Sequence, residues 1–245
     1  MKQLKTFLMF VVVAVLFSAC DNKNAVVLKG HIDNCTYKYL YIAEVRPDEL
    51  DFIDSVKIKN GDFEYVLKGS NYLIKARHAN PFFLQITLDN KNFGFTTLAK
   101  NGEIIEISGD AATLPESYSV KGYTEAENIC FLDKQLALFI DSVDYLNEIY
   151  RNYIEYDTVR AQVNDAYLVL VANHKAFLQD YINSHLGSFS TVAAFYQRYN
   201  SCFFFDEKKD IDLLKEIYSS LSDIYPENEN VIFLNERIEK AESEE

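Results

Sequence analysis

The stretch Val120-Lys121-Gly122-Tyr123-Thr124-Glu125 divides the sequence into two textures. Before it, from Ala25 to Val120, apolar residues recur at every second position between turn residues, the pattern of short antiparallel strands. After it, no glycine or proline occurs from Tyr123 to Leu186, and the apolar period lengthens to about three and a half. The change of period predicts an α+β chain: an antiparallel β-meander closing into a small sandwich over residues 25–122, then an all-helical region over 123–245.

On the helical side, Leu132, Leu136, Phe139, Val143, Leu146, Tyr150 and Tyr153 recur at alternating steps of four and three, which places them on one helix face. A second stripe, Val163, Tyr167, Leu170, Phe177 and Tyr181, predicts a partner helix, with the break among residues 152–158. A long antiparallel helix hairpin would bury both stripes against each other. Further helices are expected at 190–199, 210–224 and 229–239, with Pro226 separating the last two and residues 242–245 forming a solvated, frayed end.

On the strand side, Val26, Leu28 and Ile32 share a face while Lys29, His31 and Asp33 point the other way. Phe52, Asp54, Val56 and Ile58 are expected on one side of a later strand, alternating with Ile53, Ser55 and Lys57. Asn60-Gly61 follows, and this pair favours the left-handed conformations of a two-residue type I′ turn. A second pair, Asn101-Gly102, is read as the turn between strands around Phe95 and Ile104.

At the amino terminus, Lys2 and Lys5 precede an unbroken apolar run from Phe7 to Phe17, then Ser18, Ala19 and Cys20. As a helix, that run would span about 16 Å, roughly half of a bilayer's hydrocarbon core. Residues 1–19 are therefore expected to be a lipoprotein signal peptide rather than a membrane span. Leu16-Phe17-Ser18-Ala19-Cys20 resembles a lipobox, with Cys20 as the site of lipid attachment and residues 20–24 as a tether. The expected address is the cell envelope, outside the cytoplasm, with the chain lipid-anchored to the inner or outer membrane. Two or three acyl chains would make that anchoring stable where one would not.

Removing residues 1–19 takes two lysines and moves the formal charge from −13 to −15. So acidic a chain argues against nucleic acid as a partner, since phosphates demand a basic footprint. With Cys20 lipidated, Cys35, Cys130 and Cys202 remain, an odd number with no C-x-x-C pair. Cys130 and Cys202 stand in apolar runs, where a free cysteine behaves as a small hydrophobe.

Chemistry-bearing patterns are sparse. His174 and His185 return to nearly the same helix face but about 16 Å apart along the axis, too far for one metal ion. His31 and His78 belong to no ligand motif, and no metal or cofactor is expected. Asp54-Ser55 and Asp141-Ser142 set a hydroxyl beside a carboxylate, but adjacent residues diverge and no nucleophile elbow accompanies them. The acid pairs Asp141 with Asp144 and Asp48 with Asp51 match the spacing of no calcium loop. No catalytic residue is assigned, and the chain is read as a non-enzyme. The tyrosine stripe and Phe203-Phe204-Phe205 are read as core packing, with a ligand or partner groove as the alternative.

Several short motifs run in a recognisable order: Lys29-Gly30-His31-Ile32, Tyr39-Leu40-Tyr41, Ile53-Asp54-Ser55-Val56 and Asn60-Gly61-Asp62-Phe63-Glu64-Tyr65. They continue with a hairpin from Asn101-Gly102 to Gly109-Asp110, then Val120-Lys121-Gly122, Ser188-Phe189-Ser190-Thr191 and Tyr225-Pro226-Glu227-Asn228. In this order the chain resembles the amino-terminal half of Gram-negative envelope lipoproteins related to thiol-disulfide interchange proteins. In that family a β-rich domain of unknown function and a helical segment precede a thioredoxin-like domain. The resemblance implies a Trp-Cys-x-x-Cys redox centre in that further domain; these 245 residues hold no tryptophan and no paired cysteines. The expectation is a non-catalytic binding or interaction module with an envelope partner or ligand. The alternative is an accessory half of a thiol-disulfide system whose thioredoxin-like partner is a separate chain.

Overall fold

The computed structural model describes residues 24–68, 78–88 and 93–243. The expected signal peptide (1–19), Cys20 and all but the last residue of the expected tether (20–24) lie outside these, as do residues 69–77, 89–92 and 244–245. The chain is α+β: two four-stranded sheets followed by a helical region. The strands are β1 (Ala25–Asp33), β2 (Tyr39–Val45), β3 (Leu50–Lys57), β4 (Asp62–Lys68), β5 (Phe82–Leu88), β6 (Gly94–Ala99), β7 (Ile104–Asp110) and β8 (Ser119–Lys121). The short helix α1 (Leu114–Ser117) precedes β8.

One sheet has the order β4-β1-β7-β8 and the other β3-β2-β5-β6. Their inward residues join one hydrophobic core that includes Val26, Leu28, Ile42, Leu84, Ile86, Leu98 and Ile105. The sandwich predicted from period two is present, but its strand order is not that of a simple meander. β1 pairs antiparallel with β4 and parallel with β7. Asn60-Gly61 forms the turn expected of it, with φ of 53° and 87° and reciprocal Lys59–Asp62 backbone hydrogen bonds of 2.9 and 3.0 Å. Beyond that single bridge the strands part, β3 to β2 and β4 to β1. Asn101-Gly102 likewise carries the chain from β6 in one sheet to β7 in the other. Turn chemistry fixes the residues beside the turn, whereas strand partners are chosen by which apolar faces must meet across the core.

One strand departs from its expected alternation. The β2–β3 register shifts between Ile42 and Ala43, so Asp54 opposes Ile42 and Phe52 opposes Ala43, leaving Ile53 as the extra residue. A bulge of one residue reverses the faces beyond it. Val56 and Ile58 stay buried as expected, Ile53 packs against the core, and Phe52 turns outward at 65% exposure.

The helical region holds α2 (Thr124–Asn152), α3 (Asp157–Ser184), α4 (Ser190–Phe195), α5 (Ile211–Ser222) and α6 (Glu229–Ser243). α2 and α3 form the predicted long hairpin, broken at residues 153–156. The first half of α2 lies against β6 and β8, so the core runs unbroken from Val26 to Ile238. Two helix boundaries differ from expectation. The helix predicted over 190–199 ends at Phe195, because Gln197 is drawn into the α2–α3 interface and the chain reverses through the two-residue strands β9 (Arg198–Tyr199) and β10 (Cys202–Phe203). Asn200 takes φ of 54° at that reversal, a conformation asparagine tolerates. The last helix continues through Ser243, where frayed chain was expected, with Lys215 reaching Glu242 at 2.6 Å.

Candidate functional site

The hairpin is longer than the body it packs on. Among described residues, α2 buries no side chain beyond Val143 and α3 buries none before His174. Toward those ends the helices face each other and the β9–β10 turn, with Tyr167, Leu170 and Val171 still at the edge of the core, and a groove of about 400 Å³ opens between them. From α2 it is lined by Val143, Leu146, Asn147 and Tyr150, and from α3 by Arg160, Val163, Asn164 and Tyr167. Both sets recur at the spacing i, i+3, i+4, i+7, one face of a helix. Tyr199 and Asn200 close one end.

The lining repeats itself. Leu146-Asn147-Glu148-Ile149-Tyr150 and Val163-Asn164-Asp165-Ala166-Tyr167 share the order aliphatic, Asn, acid, apolar, Tyr. In each, the aliphatic residue, the Asn and the Tyr face the groove. Because the helices are antiparallel, the two copies run in opposite directions along the walls. No side-chain hydrogen bond holds Asn147, Asn164 or Asn200 among the described residues, so each amide presents a free donor and a free acceptor. Arg160 is engaged by Asp157 one turn earlier.

Beneath the groove, an aromatic cluster fixes the turn that carries Tyr199 and Asn200. The rings of Phe139 and Tyr199 meet edge-on at 5.4 Å, and Phe139 also meets His174 at 4.9 Å and Phe204 at 5.2 Å. Gln197 Nε2 donates to the Leu132 carbonyl at 3.3 Å, so its Oε1 accepts from His174 Nε2 at 2.7 Å. That pairing places a proton on Nε2. Burial pushes the His174 pKa down, in keeping with the neutral form. His174 and Gln197 therefore act as a strut between α2, α3 and the turn.

The other residues singled out in the sequence have local explanations. His31 is exposed and bonded to Asp62 at 2.7 Å, which raises its pKa. His78 is buried against Glu44 at 3.1 Å and stacked on Phe82, while His185 stacks on Tyr181. Asp54 accepts from the Ser55 backbone and from Tyr65, and Ser142 donates to the Leu138 carbonyl, so neither Asp-Ser pair couples its hydroxyl to its carboxylate. Asp51 faces Arg46 at 3.4 Å. Cys35, Cys130 and Cys202 are all free thiols. Cys130 is buried, donates to the Tyr118 carbonyl at 3.5 Å and has its pKa pushed up by burial. Cys202 is exposed, against the apolar setting read from its neighbours, because β10 ends at the surface while Phe204 and Phe205 turn into the core. The tyrosine stripe divides: Tyr181 packs in the core, Tyr167 packs at its edge while also lining the groove, and Tyr150 lines the groove as an exposed side chain.

Among the described residues, no helix is long and apolar enough to cross a membrane, and no group of three or more acidic, histidine or cysteine side chains is placed to hold a metal ion. The duplicated Asn–Tyr pattern was visible in the sequence as two similar pentapeptides, yet only the antiparallel hairpin brings them to one groove. In comparisons with known proteins, the chain matches no family model and no curated protein.

Proposed function

We propose that this chain is an envelope lipoprotein, lipid-anchored through Cys20, that works as a non-catalytic binding module. The observation that carries the binding role is the groove on the overhanging hairpin, walled by two copies of one Asn–Tyr pattern whose amides have no side-chain hydrogen bond among the described residues. Asn147 and Asn164 stand at the exposed rims of the groove, above the more buried Val143, Leu146 and Val163. A groove of polar amides over an apolar floor suits a ligand that has both faces and rims to read. The lipid on Cys20 keeps the module at a membrane surface, and the acidic chain disfavours polyanionic ligands.

The anchor is tested by metabolic acyl labelling and membrane fractionation of wild type and a Cys20→Ala variant. The wild type is expected to carry label and sediment with membranes, and the variant to do neither; identical behaviour of the two would remove the lipoprotein reading. For the groove, a photo-crosslinking residue at position 167 of the anchored chain is expected to capture an envelope component that the same residue at position 57, on the edge strand β3, does not. Equal capture at both positions counts against the groove.

A further inference from the structure

We infer that the groove is a carbohydrate subsite that binds a neutral glycan chain; this rests on the binding-module reading above and names its ligand class. The observation is the juxtaposition of Asn147 and Tyr150 on α2 with Asn164 and Tyr167 on α3, two equivalent pairs facing one groove from antiparallel helices.

A pyranose ring has two chemically distinct parts: faces of C–H bonds and a rim of hydroxyls that donate and accept at neighbouring positions. Tyrosine rings offer a negative π-face to the first. Asparagine amides, with a carbonyl and an NH₂ held in one plane, match the second, since one amide can accept from one hydroxyl and donate to the next. Each wall supplies one of each, and Tyr199 with Asn200 supplies a third such pair at the end of the groove. A ligand built of repeating units presents the same hydroxyl pattern to successive protein pairs, which a duplicated wall is suited to read. The groove volume of about 400 Å³ falls in the roughly 300–1,000 Å³ range of small-ligand clefts.

Charge and backbone disposition narrow the class. The single cation of the lining, Arg160, is bonded to Asp157, and the chain carries a net charge of −13, so an anionic glycan would meet repulsion without a free counter-charge. An extended peptide would look for backbone groups to pair with. Both long walls here are helices whose backbone groups are bonded internally, so along them side-chain amides and rings are what a ligand meets.

The test probes the detergent-solubilised full-length chain on an array of neutral poly- and oligosaccharides (α-glucans, β-glucans, mannans and xylans), beside an array of unmodified peptides. The doubles Asn147→Ala/Asn164→Ala and Tyr150→Ala/Tyr167→Ala are measured in parallel. Alanine raises helix propensity at all four positions and the two asparagines are exposed, whereas Tyr167 also packs at the core's edge, so circular dichroism checks that each double, the tyrosine one above all, stays folded. The expected result is binding to at least one neutral glycan, weakened roughly tenfold or more by either double. Glycan binding that is absent, or unchanged in both doubles, overturns the inference. Peptide binding lost in the doubles would also overturn the carbohydrate class while leaving the groove as a binding site. If neither array binds, the binding-module reading falls with it.

Discussion

Glu125, in the first turn of α2, accepts a hydrogen bond from the backbone N–H of Ser190 at 3.2 Å across 65 residues of chain. The same carboxylate takes the Ser188 hydroxyl at 2.6 Å and the Phe189 N–H at 3.3 Å. It thereby satisfies donors at the start of α4 that no residue of that helix can reach. The contact ties the long hairpin to the helices that follow it.

Replacing Glu125 with alanine removes the carboxylate from all three, leaving the Phe189 N–H without an acceptor and the Ser190 N–H and Ser188 hydroxyl with only the Ser188–Ser190 contacts. A loss of about 2 kcal/mol is expected, from the usual worth of hydrogen bonds to a charged group. At this chain length that lowers the melting temperature by roughly 4–8 °C. Glu125→Gln, which keeps an acceptor, should lose less. Thermal unfolding followed by circular dichroism compares the three; an alanine variant as stable as wild type would show that the contact contributes nothing.

Asp133 is held away from water and its pKa rises to about 6, with burial as the main cause and the Tyr118 hydroxyl, at 2.6 Å, partly opposing it. A carboxyl with a folded pKa above its unfolded one binds more protons when folded, so its contribution to stability falls as pH rises from about 4 to 6. Asp133→Asn keeps an acceptor for Tyr118 and removes the buried charge. At pH 8 the variant is expected to be more stable by about 1–3 kcal/mol, and near pH 3.5 the difference should vanish. Urea unfolding at both values measures this, and an equal difference at the two would refute it.

His174 works in the opposite direction. Its pKa is depressed by burial, so the unfolded chain takes up a proton first as the solution is acidified. Stability from this group is complete above the unfolded value near 6.5 and is lost as pH falls toward the folded pKa. In His174→Phe, which cannot protonate, the decline in unfolding free energy from pH 6.5 to 5 should be shallower than in wild type, whatever its absolute stability. Parallel slopes would mean that His174 does not contribute to the decline.

Gly30 lies in the middle of β1, opposite Ile107 of the parallel strand β7, and a Cβ added there would come within 1.7 Å of the Ile107 carbonyl oxygen. Backbone cannot yield as the end of a side chain can. Gly30→Ala should therefore destabilise the protein by about 2–3 kcal/mol. Chemical denaturation measures the change, and a neutral substitution would show that β1 and β7 are less closely apposed.

What the sequence determined by itself is the part of the structure set by near neighbours. The period of two before Gly122 and of about three and a half after it produced the sandwich and the helix hairpin, because side-chain direction repeats with the local backbone. Asn60-Gly61 took its turn because only a few residue types accept two positive φ angles in succession. Tertiary structure alone decided matters that depend on distant residues. It parted β3 from β4 just beyond a correctly formed turn, and it turned Phe52 outward through a bulge against β2. It also ended α4 early, when Gln197 found His174 and Leu132. The groove belongs to this second class. Tyr150 and Tyr167 occupy stripe positions that look like core, but full burial ends near Val143 and His174; beyond that point Tyr167 reaches only the edge of the core, Tyr150 stays exposed, and the helix faces meet each other and the β9–β10 turn.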